Sequence, residues 1–427
     1  MNRRLVSFSI SFLSILISAY TLDVPTRSIQ DDSSLRISIR DTWLTEAPGK
    51  VLGKSPFVHT LPGGERIQVR AEGERGECLI ILAREMGGTF PGWAQGSWIL
   101  TRRRDTGLPE RIRIFLRSDP YTYVQFRPFT GDKSLMDVVV YNAYVVHSQP
   151  LAIPFERLLV IPVEDVLRTL GASFPRRYFD PDPGMYRELR EFIALVRGRL
   201  PELRFRDDGA IDEQGRYVFI ENMEVQDGPG GLNCSGFAKW IVDGILRPHT
   251  GERLTIPPLK EPFGDRSSSF SERYEQLRDP FFGLDWIRNL AAAAGNFGAL
   301  EEIEVQKGSF ASVIRRSEGK SSIRPYPGFL RNAGFDTEGL QPLLYTLAID
   351  EPGFIYLASV NQETGPAPRM RQHFHVAVLA PYFTEAGNFR IALFESAAET
   401  SFTNFKTRYP GHYINLVRIP VEGVFDP

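Results

Sequence analysis

Cysteine is almost missing from this 427-residue chain, where Cys78 and Cys234 stand alone. Two thiols cannot build the dense disulfide frame of a small secreted scaffold. Neither a CxxC pair nor an HExxH run is present, so the usual zinc signatures are absent and no metal or organic cofactor is expected. Histidine is scarce as well, with six residues. The formal net charge is −2, which gives no general attraction to nucleic acid. Past residue 19 no run of some 18 unbroken apolar residues occurs, so no membrane span is expected in the mature chain. Internal repeats and low-complexity segments are lacking too. What remains is a globular composition, 42% hydrophobic and 24% charged, long enough for two or three domains with cores of their own.

Arg3 and Arg4 precede an apolar, serine-broken stretch over residues 5–19 (LVSFSISFLSILISA). A positive start, a run too short for a comfortable span and the small Ala19 at its end are the pattern of a cleavable secretion signal. Residues 1–19 are therefore read as a signal peptide and the chain as secreted or periplasmic; an uncleaved N-terminal anchor is the alternative. Residues 20–60 are polar and irregular and read as a linker or arm. Over 61–160, short β-rich runs alternate with turns (RIQVRA, ECLIILA, GSWILTRR, RIRIFLR, YTYVQFRPF, LMDVVVYNAYVV), which predicts a β-rich domain, a sandwich or barrel. Within it Arg102, Arg103, Arg104, Arg111, Arg113 and Arg117 are interleaved with Trp93, Trp98 and Phe115. Such a surface suits an anionic glycan or another envelope polymer, and solvated strand faces are the simpler explanation.

The remainder, 161–427, mixes helical and strand patterns, giving an α+β class overall. Helices are predicted over 164–170 and over 183–198, the latter with Leu189, Phe192, Ile193 and Val196 on one face. Residues 247–345 are rich in Pro, Gly and Ser at their edges and carry helical patches near 271–278 and 284–294. Four strands follow from 353: GFIYLASVN, FHVAVLAPYF, FRIALFESA and HYINLVRIPV.

Cys78 lies inside GECLIILA, an apolar strand where a thiol acts as a small hydrophobe. Cys234 is set differently, in GPGGLNCSGFAKWIVDGIL over 228–246. Asn233 is a good N-cap, Phe237, Trp240, Ile241 and Ile245 recur at helical spacing, and Pro248 is expected to close the segment. Cys234 thus opens a largely buried helix, where unpaired N–H groups and the dipole favour the thiolate. Gly236 is expected to leave room beside the sulfur. A nucleophilic thiolate needs a base. His59, His147, His249 and His412 lie in loops or at strand edges with no partner pattern. His373 and His375 flank Phe374, two apart on one strand and so on one face, where both can approach the cysteine helix. His375 opens the apolar run and is the first choice as base. Glu395, closing the next strand, is the carboxylate expected to orient the imidazole, with Asn404 and Glu399 as weaker choices. Asp285, Trp286 and Arg288 fall on a short helix that either shapes the cleft or simply contributes a core tryptophan.

Three of these segments, in order, resemble the NlpC-type bacterial cell-wall cysteine peptidases. Asn233-Cys234-Ser235-Gly236-Phe237 is similar to their Asp-Cys-Ser-Gly signature. Glu351-Pro352-Gly353-Phe354-Ile355 is similar to the Pro-Gly start of their central strand, and His375-Val376-Ala377-Val378 to the strand bearing their histidine. The resemblance covers roughly 228–248 and 350–422. It implies a papain-like domain over 161–427 with Cys234, His375 and Glu395 as catalytic residues and 247–345 as an insertion. The implied activity is hydrolysis of an amide in peptidoglycan stem peptides through a thioester; peptidoglycan or another envelope polymer is the implied partner. Glutamate as third residue is similar to the related CHAP amidases. Asn233 stands where the family has aspartate, and the family's upstream oxyanion tyrosine has Tyr217 as its nearest counterpart. A catalytically silent envelope-binding module and a thiol protease or transglutaminase-like enzyme acting on proteins are the other readings.

Overall fold

The computed structural model describes residues 23–171, 174–263, 279–295, 324, 327–330, 332–367 and 369–427. The expected secretion signal over 1–19 and the expected helical patch over 271–278 lie outside the described residues. The fold is α+β; the described residues form two large antiparallel sheets and a two-stranded hairpin, with helices around them.

The first sheet is an eight-stranded meander in chain order: β1 (Phe57–Thr60), β2 (Arg66–Glu74), β3 (Glu77–Arg84), β4 (Trp98–Arg103), β5 (Pro109–Ile114), β6 (Tyr123–Pro128), β7 (Ser134–Val140) and β8 (Ala143–Leu151). Alternation decides its faces. Ile67, Val69, Ile80, Leu82, Leu100, Ile112, Phe126, Met136 and Val138 point to one side and are buried there. The run LMDVVVYNAYVV is two strands rather than one. Tyr141 and Asn142 take φ of 46° and 61°, the two-residue turn whose twist matches a tight hairpin. Cys78 is fully buried in β3, and burial pushes its thiol pKa up; both cysteines are free thiols.

The polar segment before β1 is not a loose arm. It forms α1 (Ser33–Ser38) and α2 (Pro48–Val51), with Leu35, Ile39, Trp43, Leu44 and Val51 buried in the core of the first sheet. Arg36 is wholly buried. It donates to Asp32 at 2.9 Å and to the carbonyls of Leu158, Leu159 and Ile161, beside α3 (Phe155–Leu158) and α4 (Val163–Leu170). Charged residues around an internal apolar stripe made the segment look polar.

The expected helix over 183–198 is α5 (Arg187–Arg199), entered through a 3₁₀ turn, and the four face residues named above are all buried. A short hairpin, β9 (Gly209–Ile211) with β10 (Tyr217–Phe219), precedes α6 (Cys234–Thr250). Then come α7 (Phe282–Ala294), β11 (Phe335–Asp336), α8 (Leu340–Asp350), β12 (Phe354–Thr364), β13 (Met370–Phe383), β14 (Phe389–Glu395), β15 (Ala398–Thr400), α9 (Phe402–Arg408) and β16 (Tyr413–Pro420). The second sheet runs β11-β16-β12-β13-β14-β15. One face buries Leu357, Val376, Val378, Phe394 and Val417 under α5, α6 and α7. The other joins α8 and the first sheet through Tyr356, Val360, Leu379 and Leu393. Among the described residues no helix is long and apolar enough to cross a membrane.

Pro248 does not end α6. The helix runs on to Thr250 and closes at Gly251, whose φ of 76° only glycine adopts freely. A proline inside a helix leaves the carbonyl four residues back without its donor. Here the backbone N–H of Asp426 supplies it, donating to Gly244 O at 2.9 Å.

Candidate functional site

The site is built where α6 begins against β13. Asn233 caps the helix, its side-chain oxygen accepting from the Gly236 N–H at 2.8 Å. Cys234 follows as the first helical residue, partly exposed, and its own N–H belongs to the first turn, which has no partner within the helix. From α7 the Trp286 indole donates to the Ser235 carbonyl at 2.9 Å, fixing the turn that carries the thiol. Trp286 is fully buried, so it acts as a core residue that also holds the helix start; Asp285 is buried beside it and accepts from the Phe263 N–H, while Arg288 reaches Asn332.

The room that Gly236 leaves is taken by the backbone of β9. A β-carbon there would lie 2.0 Å from the Gly209 carbonyl oxygen and 2.8 Å from Ala210 Cα. The glycine lets β9 cross the first turn of α6 at backbone contact, and the Asn233 N–H in turn donates to that Gly209 carbonyl at 2.9 Å.

The two histidines of β13 part company at a bulge. Val360 of β12 stands opposite His375 and Asn361 opposite His373, which leaves Phe374 without a partner. Opposed residues share a face and consecutive ones alternate, so the histidines emerge on opposite faces instead of one. His373 is 3% exposed under the start of α7. Its Nε2–H donates to the Asn332 carbonyl at 2.9 Å, and its Nδ1 then accepts from the Ser359 hydroxyl at 2.9 Å. Burial drives its pKa down to about 3, so the ring is neutral and fully engaged.

His375 meets Cys234. Its Nε2 lies 2.7 Å from Glu395 Oε2, which leaves Nδ1 as the ring nitrogen for the sulfur. Burial opposes a charged imidazole, but hydrogen bonds and charge from Cys234 and Glu395 outweigh it and raise the His375 pKa to about 9. For Cys234 burial again opposes ionisation, and the bond and charge of His375 together with the Val376 backbone N–H bring the thiol below its ordinary range. The two shifts share one cause, the contact between thiol and imidazole, and both favour thiolate beside imidazolium.

Glu395 is 6% exposed and ends β14 at a two-residue turn, Ser396 and Ala397 having φ of 49° and 64°. Burial works to raise its pKa, and His375 and Arg408 overcome it to keep the carboxylate ionised. Arg408 of α9 donates through Nη2 to Oε1, so each carboxylate oxygen has its own partner. Tyr409 lies over the imidazole, ring centres 5.7 Å apart at 28°, and also meets Phe374, the bulged residue, at 6.0 Å.

The structure thus brings Cys234, His375 and Glu395 together. The weaker choices lie elsewhere: Glu399 holds Arg197 at 2.7 and 2.8 Å, and Asn404 is exposed in the capped first turn of α9. Tyr217 packs against Gly230. Arg408 and Tyr409 were not foreseen; their only sequence trace was their place just after the hairpin that follows Glu395. Among the described residues no group of three or more His, Cys, Asp and Glu side chains is placed to hold a metal ion.

Residues 25–178 match a family described as a domain of unknown function (DUF8515). The match takes in α1, α2, the whole first sheet, α3 and α4 and stops before α5, leaving the Cys234 site outside it. No curated protein and no solved structure matches the chain.

Proposed function

We propose that the chain is a cysteine hydrolase that cleaves an amide bond through a thioester. The observation that carries this reading is the Cys234–His375–Glu395 relay at the first turn of a buried helix, with the thiol shifted down and the imidazole up. The placement of a cysteine-bearing helix start against a histidine-bearing antiparallel strand supports a papain-like arrangement for the second half of the chain.

In this reading the Cys234 thiolate attacks the amide carbon and its electron pair forms the C–S bond. The carbonyl π pair moves to oxygen, where the Cys234 N–H stabilises it; one such donor is worth about 3 kcal/mol in known cases. His375 gives its proton to the departing nitrogen as the C–N bond breaks. Water then adds to the thioester, His375 takes the water's proton, and the thiolate leaves. The sequence resemblance at 228–248 and 350–422 directs the substrate choice to stem peptides of peptidoglycan, met outside the cytoplasm after removal of residues 1–19. Incubating the purified chain with peptidoglycan fragments is expected to release new amino groups, and Cys234→Ala to abolish the release. No new amines from the wild-type chain would sink the substrate; new amines from a denatured protein instead would redirect it to proteins.

A further inference from the structure

The face of the first sheet turned away from its core carries a row of side chains in lateral register: Ile99 opposite Arg113, Arg113 opposite Gln125, Gln125 opposite Asp137, on β4 to β7. Arg113 Nε donates to Gln125 Oε1 at 3.1 Å, and Gln125 Nε2 donates to Asp137 Oδ2 at 3.1 Å. Asp137 is wholly buried and already matched, for Arg127 grips both its oxygens at 2.7 and 3.0 Å. Arg111 is matched by Glu77 at 2.7 Å. Of the three arginines Arg111, Arg113 and Arg127, Arg113 has no carboxylate partner among the described residues. Its guanidinium carbon sits 4.7 Å from the centre of the Tyr123 ring. Its two terminal nitrogens have no hydrogen-bond partner among the described residues, yet they are not sealed from solvent.

This is an unusual way to keep a charge. Arg113 is half-buried, and a guanidinium partly withdrawn from water carries a cost that a carboxylate or phosphate on its donors would offset. Tyr123 behind it and Gln125 at its Nε fix the plane of the fork, and the two free nitrogens are the pair that grips an oxyanion at two points. Trp93 and Tyr144, both half-buried, pack on the same Phe115–Tyr123–Val139 cluster and provide ring surface nearby.

We propose that Arg113 and its neighbours form a binding site for a small oxyanion, a carboxylate or phosphate, on the outer face of the first sheet. The site is independent of the Cys234 chemistry and lies within the residues matched by the family of unknown function. Two sources share this chemistry, a sugar acid and a free phosphate group, and the ring surface near Arg113 favours a sugar acid.

The test is titration of the full chain with D-glucuronate, acetate, inorganic phosphate and, as a neutral control, glucose, read by calorimetry and by the rise in Tm. At least one anion is expected to bind wild type, with Arg113→Met weakening it by roughly tenfold or more. Arg113→Met should also fold, with a Tm at or above that of wild type, because no carboxylate loses a partner. Arg113→Lys keeps the charge without the fork and should bind more weakly than wild type. Glucuronate tighter than acetate assigns the sugar acid, and phosphate tighter than both assigns a phosphate. The proposal is overturned if no anion binds, if glucose binds equally well, or if Arg113→Met binds as wild type does.

Discussion

At the candidate site Arg408, Glu395, His375 and Cys234 meet in a line of alternating charge, and each link depends on the one before it. Glu395 is buried, so its negative charge persists only because two cations face it. Removing Arg408 takes away one positive charge, which raises the pKa of every group around it. In Arg408→Met the ionisations of Cys234 and of His375 are both expected to move to higher pH, by about 1 unit, seen as a displaced pH profile of Cys234 alkylation. Arg408→Lys should restore most of the shift; superimposable profiles for wild type and Arg408→Met would show that the arginine is mere surface. The sign for catalysis follows from the same pair. Activity should fall on the acid side as the thiolate gains a proton, and fall again as pH rises through about 9, where His375 loses the proton it must deliver. A single sigmoid with no alkaline decline would count against His375 as the acid.

At the scale of the element, how much could be read in advance depended on how local the signal was. Asn233 before Cys234, and Phe237, Trp240, Ile241 and Ile245 at helical spacing, located α6 because capping and periodicity are properties of neighbouring residues. The bulge at Phe374 was not legible. Nothing in Arg-Gln-His-Phe-His says that β12 skips a residue, and that skip is what separates a buried neutral histidine from the one that meets the thiol. Pro248 likewise announced a helix end, because the donor that compensates it comes from Asp426, far along the chain. The sequence suggests that Gly236 leaves room beside the sulfur, whereas in the structure that room is taken by β9. Gly236→Ala should therefore destabilise the fold by about 1–3 kcal/mol, measured by urea denaturation. An alanine variant as stable as wild type would mean that β9 gives way at no cost.

Across the whole molecule, the two sheets share one continuous core, and the segment before β1 is part of it. Composition misled here, since Asp31, Asp32, Arg36, Arg40 and Asp41 mask the buried Leu35, Ile39, Trp43 and Leu44. Arg36 binds that segment to the backbone around α3, and deleting its side chain leaves Asp32 without its charge partner and three carbonyls without a donor. Breaking such a buried pair costs about 3–5 kcal/mol, so Arg36→Ala should lower Tm sharply while leaving the Cys234 profile of the folded fraction unchanged. A silent substitution would return the segment to the status of a linker. In the other half of the chain we propose that His375 holds Cys234 as a thiolate. The most direct measurement of this is the rate of Cys234 alkylation by iodoacetamide in the folded protein as a function of pH, with His375→Ala beside it. Labelling should persist well to the acid side of the free-thiol range near about 8.5 and move toward that range in His375→Ala; a wild-type rate that rises only there, or a Cys234 that resists labelling altogether, would contradict the account.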